Sequence, residues 1–334
     1  MNKTFIIAEI GNMHEGSVGL ACKIAQAAVA SGADAVKLQT HIFEAESLKN
    51  APAPAYFKTE SRESYFKRTA FSLEQYKEIK QFVEGLGAKF MSAPFSLEAI
   101  DLLEQVGLDI YKVPSGEVNN LPYLKKLAQT KKPVILSSGM SYWAELDQAV
   151  STLKENGCPE ITVMQCTIQY PCLPENAGLN ILQQIKERYS GVVVGFSDHT
   201  MSLSIPAVAV AWGVQVIEKH FVLSRMMYGS DASFSLEPTE FKKMMEGIRE
   251  VELACFSGAQ KDKITEGIQE VKTVFEKSVT AKGVLSQGTI LTEQHLAYKK
   301  PGDGIKALDF QKVLGKKLKQ DVSQDHQFSW DDFE

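Results

Sequence analysis

Two histidines each close an apolar run of the chain: His199 in "GFSDHT" (195–200) and His220 in "VIEKHF" (216–221), 21 positions apart. Neutral imidazole is a good ligand for a divalent transition metal. Two of them on neighbouring strands can approach one ion and leave its other positions open to water or substrate. The competing reading makes each histidine a hydrogen-bonding group at a strand rim. Asp198 and Glu218, beside the pair, favour the metal. Lys37 and Lys112 also admit two roles. They bind a phosphate and a carboxylate as point charges, or one of them forms a Schiff base with a carbonyl substrate. The hydroxyls of Ser115, Ser137 and Ser197 favour the first role, because hydroxyls and backbone N–H groups at barrel loops make phosphate cradles. Acyl transfer is disfavoured, since the sequence has no Ser-His-Asp order and no nucleophile elbow.

Eight short apolar, β-branched runs must position these groups: 4–10, 35–39, 89–93, 109–113, 133–138, 161–166, 192–197 and 214–220. Apolar on both faces, they suit strands of a parallel sheet. Helical patterns lie between them, for example 19–32, 72–87, 96–107 and 142–157, and the last three have a cap or acidic first turn and a closing glycine. Eight βα repeats over about 260 residues predict an α/β protein of the (β/α)8 TIM-barrel class. No GxGxxG follows a strand, so a dinucleotide site is unsupported. In such a barrel the chemistry sits at the C-terminal strand ends. Here those ends hold Glu9, Lys37 with Gln39, Ser92, Lys112 with Ser115 and Glu117, Ser137 with Ser138, Thr167 with Tyr170, Ser197 with Asp198 and His199, and Glu218 with His220. Their convergence predicts a catalytic pocket.

The connection from the second to the third strand holds "NAPAPAYFKTESRESYFKRTAF" (50–71), and a loop this long is read as a cover over the barrel mouth. The barrel is expected over 1–260, a charged linker over 261–277, and a small, mainly β domain over 278–334, too small to be stable alone. The chain is 44% hydrophobic with a net charge of −5, which argues against a nucleic-acid or membrane-surface partner. Glu9 interrupts the N-terminal apolar run too early for a signal peptide, and five cysteines without a CxxC pair read as reduced thiols. A cytoplasmic protein is expected.

The motifs "IIAEIGNMHEGS" (6–17), "GADAVKLQT" (32–40), "YKVPSGE" (111–117), "LSSGM" (136–140), "QCTIQYP" (165–171), "GFSDHT", "VIEKHF" and "YGSDASFSLEP" (228–238) resemble the sialic acid synthase family over nearly the whole chain. These are phosphoenolpyruvate-condensing synthases of nonulosonic acids. The tail resembles the family's antifreeze-like (SAF) domain. The resemblance implies a homodimer with a swapped C-terminal domain that caps the partner's site. It implies condensation of phosphoenolpyruvate with the open-chain aldehyde of an N-acetylmannosamine-type 2-acetamido sugar, with uptake of water and release of phosphate. His199 and His220 would hold a divalent ion, typically Mn2+, with Mg2+ or Co2+ as alternatives. Lys37, Lys112, Ser115, Ser137 and Ser197 match positions that hold phosphoenolpyruvate. Glu9, Gln39, Glu117, Tyr170 and Asp231 match positions near the sugar or the reacting centre, with Glu9 expected to position or deprotonate the water.

Four positions depart from the family pattern: Met13 and Ile168 replace asparagines, Ser230 a proline, and Lys300 an arginine that reaches the partner's sugar. A lysine does not reproduce a planar bidentate fork. The apolar residues at 13 and 168 suggest a deoxygenated or differently acylated sugar, as in a legionaminate or pseudaminate precursor. A Schiff-base pyruvate aldolase, a 3-deoxy-octulosonate-type synthase and a non-catalytic carbohydrate- or ice-binding protein are the rival readings.

Overall fold

The computed structural model describes residues 3–52, 60–263 and 265–334. The chain divides into two compact units, Met1–Ser257 and Gly258–Glu334. In the first, the elements run β1 (Phe5–Gly11), α1 (Val18–Ala30), β2 (Ala35–Thr40), α2 (Phe43–Glu46), α3 (Arg62–Thr69), α4 (Leu73–Gly85), β3 (Lys89–Pro94), α5 (Leu97–Val106), β4 (Tyr111–Val113), α6 (Leu121–Gln129), β5 (Val134–Ser137), α7 (Trp143–Glu155), β6 (Ile161–Cys166), α8 (Leu179–Arg188), β7 (Val193–Asp198), α9 (Ile205–Ala211), β8 (Val216–His220) and α10 (Pro238–Phe256). The eight strands close into a parallel barrel in sequence order, as the repeating apolar runs predict. Helix starts follow local chemistry. Ser17, Ser61, Ser72, Ser96 and Asn120 each accept a backbone N–H of the first turn, and Ser72 forms a reciprocal capping box with Gln75.

Strand alternation builds the barrel interior in layers. Ile7, Ala35, Met91, Ile135, Met164 and Val216 form a buried apolar cluster, with Phe5, Ile110 and Val193 packed on it. Two residues further along five of these strands stand Glu9, Lys37, Ser137, Cys166 and Glu218, all buried. A charged layer therefore rests on an apolar floor. The larger core lies outside the barrel wall, where strand residues such as Ile6, Val36 and Ile217 meet helix residues such as Ile24, Ile79 and Ile248.

The segment 50–71, read as a cover, is described only in part. Residues 53–59 lie outside the described residues, and the rest includes α3, whose Tyr65 and Phe66 are buried.

The second unit begins just before the stretch read as a linker (261–277), which carries helix α11 (Glu266–Phe275). Antiparallel β9 (Ser278–Ala281) and β10 (Leu296–Lys299) follow. This unit has its own small core, including Val279, Leu291, Val313, Leu318 and Phe328. Among the described residues no helix is long and apolar enough to cross a membrane.

Candidate active site

A cavity of about 600 Å3 opens above the charged layer. Its wall includes Glu9, Lys37, Gln39, Lys112, Ser115, Ser137, Tyr170, Ser197, His199, His220 and Asp231, so eleven of the thirteen residues given roles from sequence meet there; of the other strand-end groups Glu218 joins them, whereas Ser92, Ser138, Thr167 and Asp198 do not line the cavity. Glu117 does not, and Lys300 was expected at the partner's site. Glu117 lies two residues past Ser115 in the same short 3-10 element and is off the wall, where its carboxylate accepts from Asn120 Nδ2 at 2.7 Å. Lys300 belongs to the second unit, with its ammonium 4.5 Å from the centre of the Phe275 ring.

The floor of the cavity is a chain of alternating charges. Lys37 Nζ lies 2.5 Å from Glu9 Oε2 and 3.6 Å from Glu218 Oε2. Lys112 Nζ lies 3.3 Å from Glu218 Oε1 and donates to Ser137 Oγ at 2.6 Å. Ser197 Oγ donates to Glu218 Oε1 at 3.0 Å, and Gln39 Nε2 to Glu9 Oε1 at 2.8 Å. Strand register brings these groups together, since Glu9 stands opposite both Lys37 and His220, and Ser197 opposite Glu218.

Burial alone would lower the Lys37 pKa, but the Glu218 and Glu9 carboxylates outweigh it and hold the pKa above the ordinary value. Lys37 is therefore an ammonium, which suits anion binding and not amine attack on a carbonyl. Burial also works against the Glu218 carboxylate, yet Lys112 and Lys37 hold its pKa below the usual range. Glu9 goes the other way: burial raises its pKa despite Lys37. Two carboxylates in one layer thus have pKa values pushed apart, an arrangement that separates a structural anion from a base.

The histidines stand at the rim with ring centres 5.4 Å apart. His199 Nδ1 faces the Thr167 carbonyl at 2.8 Å, which makes Nδ1 the protonated nitrogen and leaves Nε2 with its lone pair. His220 Nδ1 is buried without a hydrogen-bond partner, 3.6 Å from Asp231 Oδ2. Burial pushes the His199 pKa down to about 4 and that of His220 well below its ordinary value, so both rings are neutral near pH 7. Two neutral, adjacent imidazoles, one with an orphaned nitrogen, fit a divalent ion. Among the described residues no group of three or more His, Cys, Asp or Glu is arranged to hold one. The Tyr170 ring packs against His199 at 4.3 Å and Phe234 at 4.7 Å. Gly11 has φ +49°, and a Cβ there would lie 2.7 Å from Asp231 Oδ2, so only glycine lets this carboxylate approach β1.

Several wall residues carry no sequence signal of their own. Glu218 was visible only as an acid beside a histidine, yet it is the anion between the two lysines. His41 lies between the Phe66 and Phe95 rings, with Nε2 3.2 Å from Gln39 Oε1 and Nδ1 2.9 Å from Glu46 Oε2. Asn12 lines the cavity, whereas Met13, expected near the sugar, is fully buried behind it. Ile168 is on the wall, and its side chain would lie 2.8 Å from a Cβ at Gly139.

Fold and site together define a barrel enzyme with a floor of buried lysines and carboxylates and a paired-imidazole rim. The NeuB family model matches residues 24–260, and the SAF domain model matches residues 276–334. The chain belongs to the NeuB family. It is 39% identical to the N,N'-diacetyllegionaminic acid synthase of Campylobacter jejuni, over 97% of this chain and 98% of that one. It is 33% identical to the Legionella pneumophila enzyme of the same name, over 99% and 94%. The crystal structure of N-acetylneuraminic acid synthetase from Leptospira borgpetersenii, in complex with citrate, superposes with a TM-score of 0.70 at 28% identity, covering 81% of this chain and 90% of that one.

Proposed function

We propose that the protein is a nonulosonic acid synthase. It joins C3 of phosphoenolpyruvate to the aldehyde carbon of an open-chain N-acetylmannosamine-type sugar, takes up one water and releases phosphate. The observation that carries this reading is the layer of Lys37, Lys112, Ser137 and Ser197 at the cavity floor beneath two neutral histidines, in a member of this family.

The lysine ammoniums and the Ser115, Ser137 and Ser197 hydroxyls receive the phosphate and carboxylate of phosphoenolpyruvate. C3 attacks the aldehyde, the cation at C2 takes water, and the tetrahedral intermediate loses phosphate. Glu9, oriented by Gln39, accepts the proton of that water, because its raised pKa makes it the stronger base of the two carboxylates. Asp231 and Tyr170 hold the sugar beside His220 and His199. The two histidines would hold a divalent ion, Mn2+ before Mg2+ or Co2+, which would supply Lewis acidity to the aldehyde.

We favour as acceptor a 2,4-diacetamido-2,4,6-trideoxyhexose, the precursor type of legionaminate and pseudaminate. Ile168 presents an apolar wall where the family carries an amide, and the Campylobacter relative is named for the diacetylated product. The protein acts in the cytoplasm as a homodimer whose second unit caps the partner's site, with Lys300 at the sugar.

The test is phosphate release from phosphoenolpyruvate against a panel of 2-acetamido sugars, with Mn2+, with EDTA, and with the His199→Ala, His220→Ala double variant. Release is expected only with sugar, metal and both histidines. Release that survives EDTA and the double variant removes the metal from the reading. Equal or better turnover of N-acetylmannosamine than of the diacetamido sugar removes the acceptor assignment.

A further inference from the structure

Lys219 lies between Glu218 and His220 on β8 but points out of the barrel, away from the cavity. Its side chain is 1% exposed, and its Nζ donates to Asp198 Oδ2 at 2.5 Å, to the Thr200 carbonyl, and to the Ser202 carbonyl at 3.5 Å. An ammonium has three protons, and here each has an acceptor, at the last residue of β7 or on the turn that follows it. Asp198 also accepts the Thr200 N–H at 2.8 Å and the Thr200 hydroxyl at 3.1 Å. His199 is the residue between the two that Lys219 holds. It sits just past the end of β7, where an isolated parallel bridge between Thr200 and Cys172 replaces the barrel ladder and its own carbonyl accepts the Cys172 N–H at 2.8 Å.

We propose that Lys219 is a positioning residue that ties the turn carrying His199 to the strand carrying His220, and so sets the spacing of the two imidazoles. The inference rests on the reading of those imidazoles as holders of a divalent ion. The mechanism leaves Lys219 no direct part, because no substrate reaches it. Stability alone does not call for it either, since a buried ion pair is often replaceable by apolar residues at no loss. What a three-point ammonium provides and an apolar side chain does not is a fixed register between two loops. Groups that orient metal ligands from behind are worth about 10- to 100-fold in metal affinity.

The experiment counts bound Mn2+ by electron paramagnetic resonance of the free ion, with no substrate present. Wild-type protein binds Mn2+. Lys219→Met weakens binding by at least about tenfold. Lys219→Arg, which keeps the charge and the donors, restores most of it. If Lys219→Met does not fold, the Lys219→Met, Asp198→Asn double variant leaves no unpaired buried charge and is expected to show the same weak binding. Wild-type affinity in a folded Lys219→Met or double variant overturns the tether while leaving the metal reading intact. Wild-type protein that binds no Mn2+ overturns the metal reading and the tether together.

Discussion

Lys37 Nζ lies 2.5 Å from Glu9 Oε2, and both side chains are almost wholly sealed from solvent. With Lys112 and Glu218 they form a buried quartet of two positive and two negative groups. Removing one member leaves an uncompensated charge. Lys37→Met strands two carboxylates and is expected to cost about 3–5 kcal/mol in stability. Urea unfolding would measure it, and the Lys37→Met, Glu9→Gln double variant should recover part of the loss. A change under about 1 kcal/mol in the single variant would mean that the quartet is not dry.

Buried histidines make stability depend on pH. Burial, with a smaller push from Arg68, lowers the His14 pKa to about 3, and its ring stacks on Phe71 at 4.3 Å. The unfolded chain takes up this proton near pH 6.5, whereas the folded chain does not until about pH 3. The contribution is therefore complete above pH 6.5 and is lost as pH falls from there towards 3. The slope approaches about 1.4 kcal/mol per pH unit. Urea unfolding at pH 6.5, 5.5 and 4.5 should show a slope that is shallower by about one proton in His14→Asn. Equal slopes would place a charged His14 in the folded protein.

Ile168 offers a direct test of acceptor choice. Ile168→Asn places an amide on an apolar part of the wall. Its ratio of kcat/KM for N-acetylmannosamine over the diacetamido trideoxy sugar should rise about tenfold, the size of effect one wall group provides. An unchanged ratio would separate Ile168 from sugar recognition.

Assembly is testable through α11. Ile268, Val271, Val274 and Phe275 are each more than half exposed on this amphipathic helix. Such a stripe is unfavourable in water and fits burial against a second copy of the chain. Sedimentation velocity should show a dimer for wild-type protein and a shift towards monomer for Val271→Asp, Val274→Asp. A monomeric wild type would count against the swapped assembly.

The barrel is readable in the sequence because parallel strands covered on both faces are continuous apolar runs. The fourth run is the exception: 109–113 keeps only Tyr111–Val113 in the ladder, with Ile110 packed on the floor below. The site residues are readable because strand ends must face the mouth. The pairing of Glu218 with two lysines is not, because it depends on how strand tilt brings non-adjacent strands together at closure. Met13 shows a further limit. Counting by twos from Glu9 turns it inward, but the register shifts between Glu9 and Gly11, so Asn12 takes the wall and Met13 the core. His41 follows β2 in a loop, where no periodicity signals its direction.

The apolar floor of Ile7, Met91, Ile135 and Met164 makes the site a blind well. Traffic uses one mouth, so position in the well dictates order. Under the proposed function, phosphoenolpyruvate, bound at Lys37 and Lys112, therefore arrives before the sugar at the histidine rim. Phosphate freed at the floor leaves past the rim, and its departure follows movement of the new acid, whose own carboxylate came from the same floor.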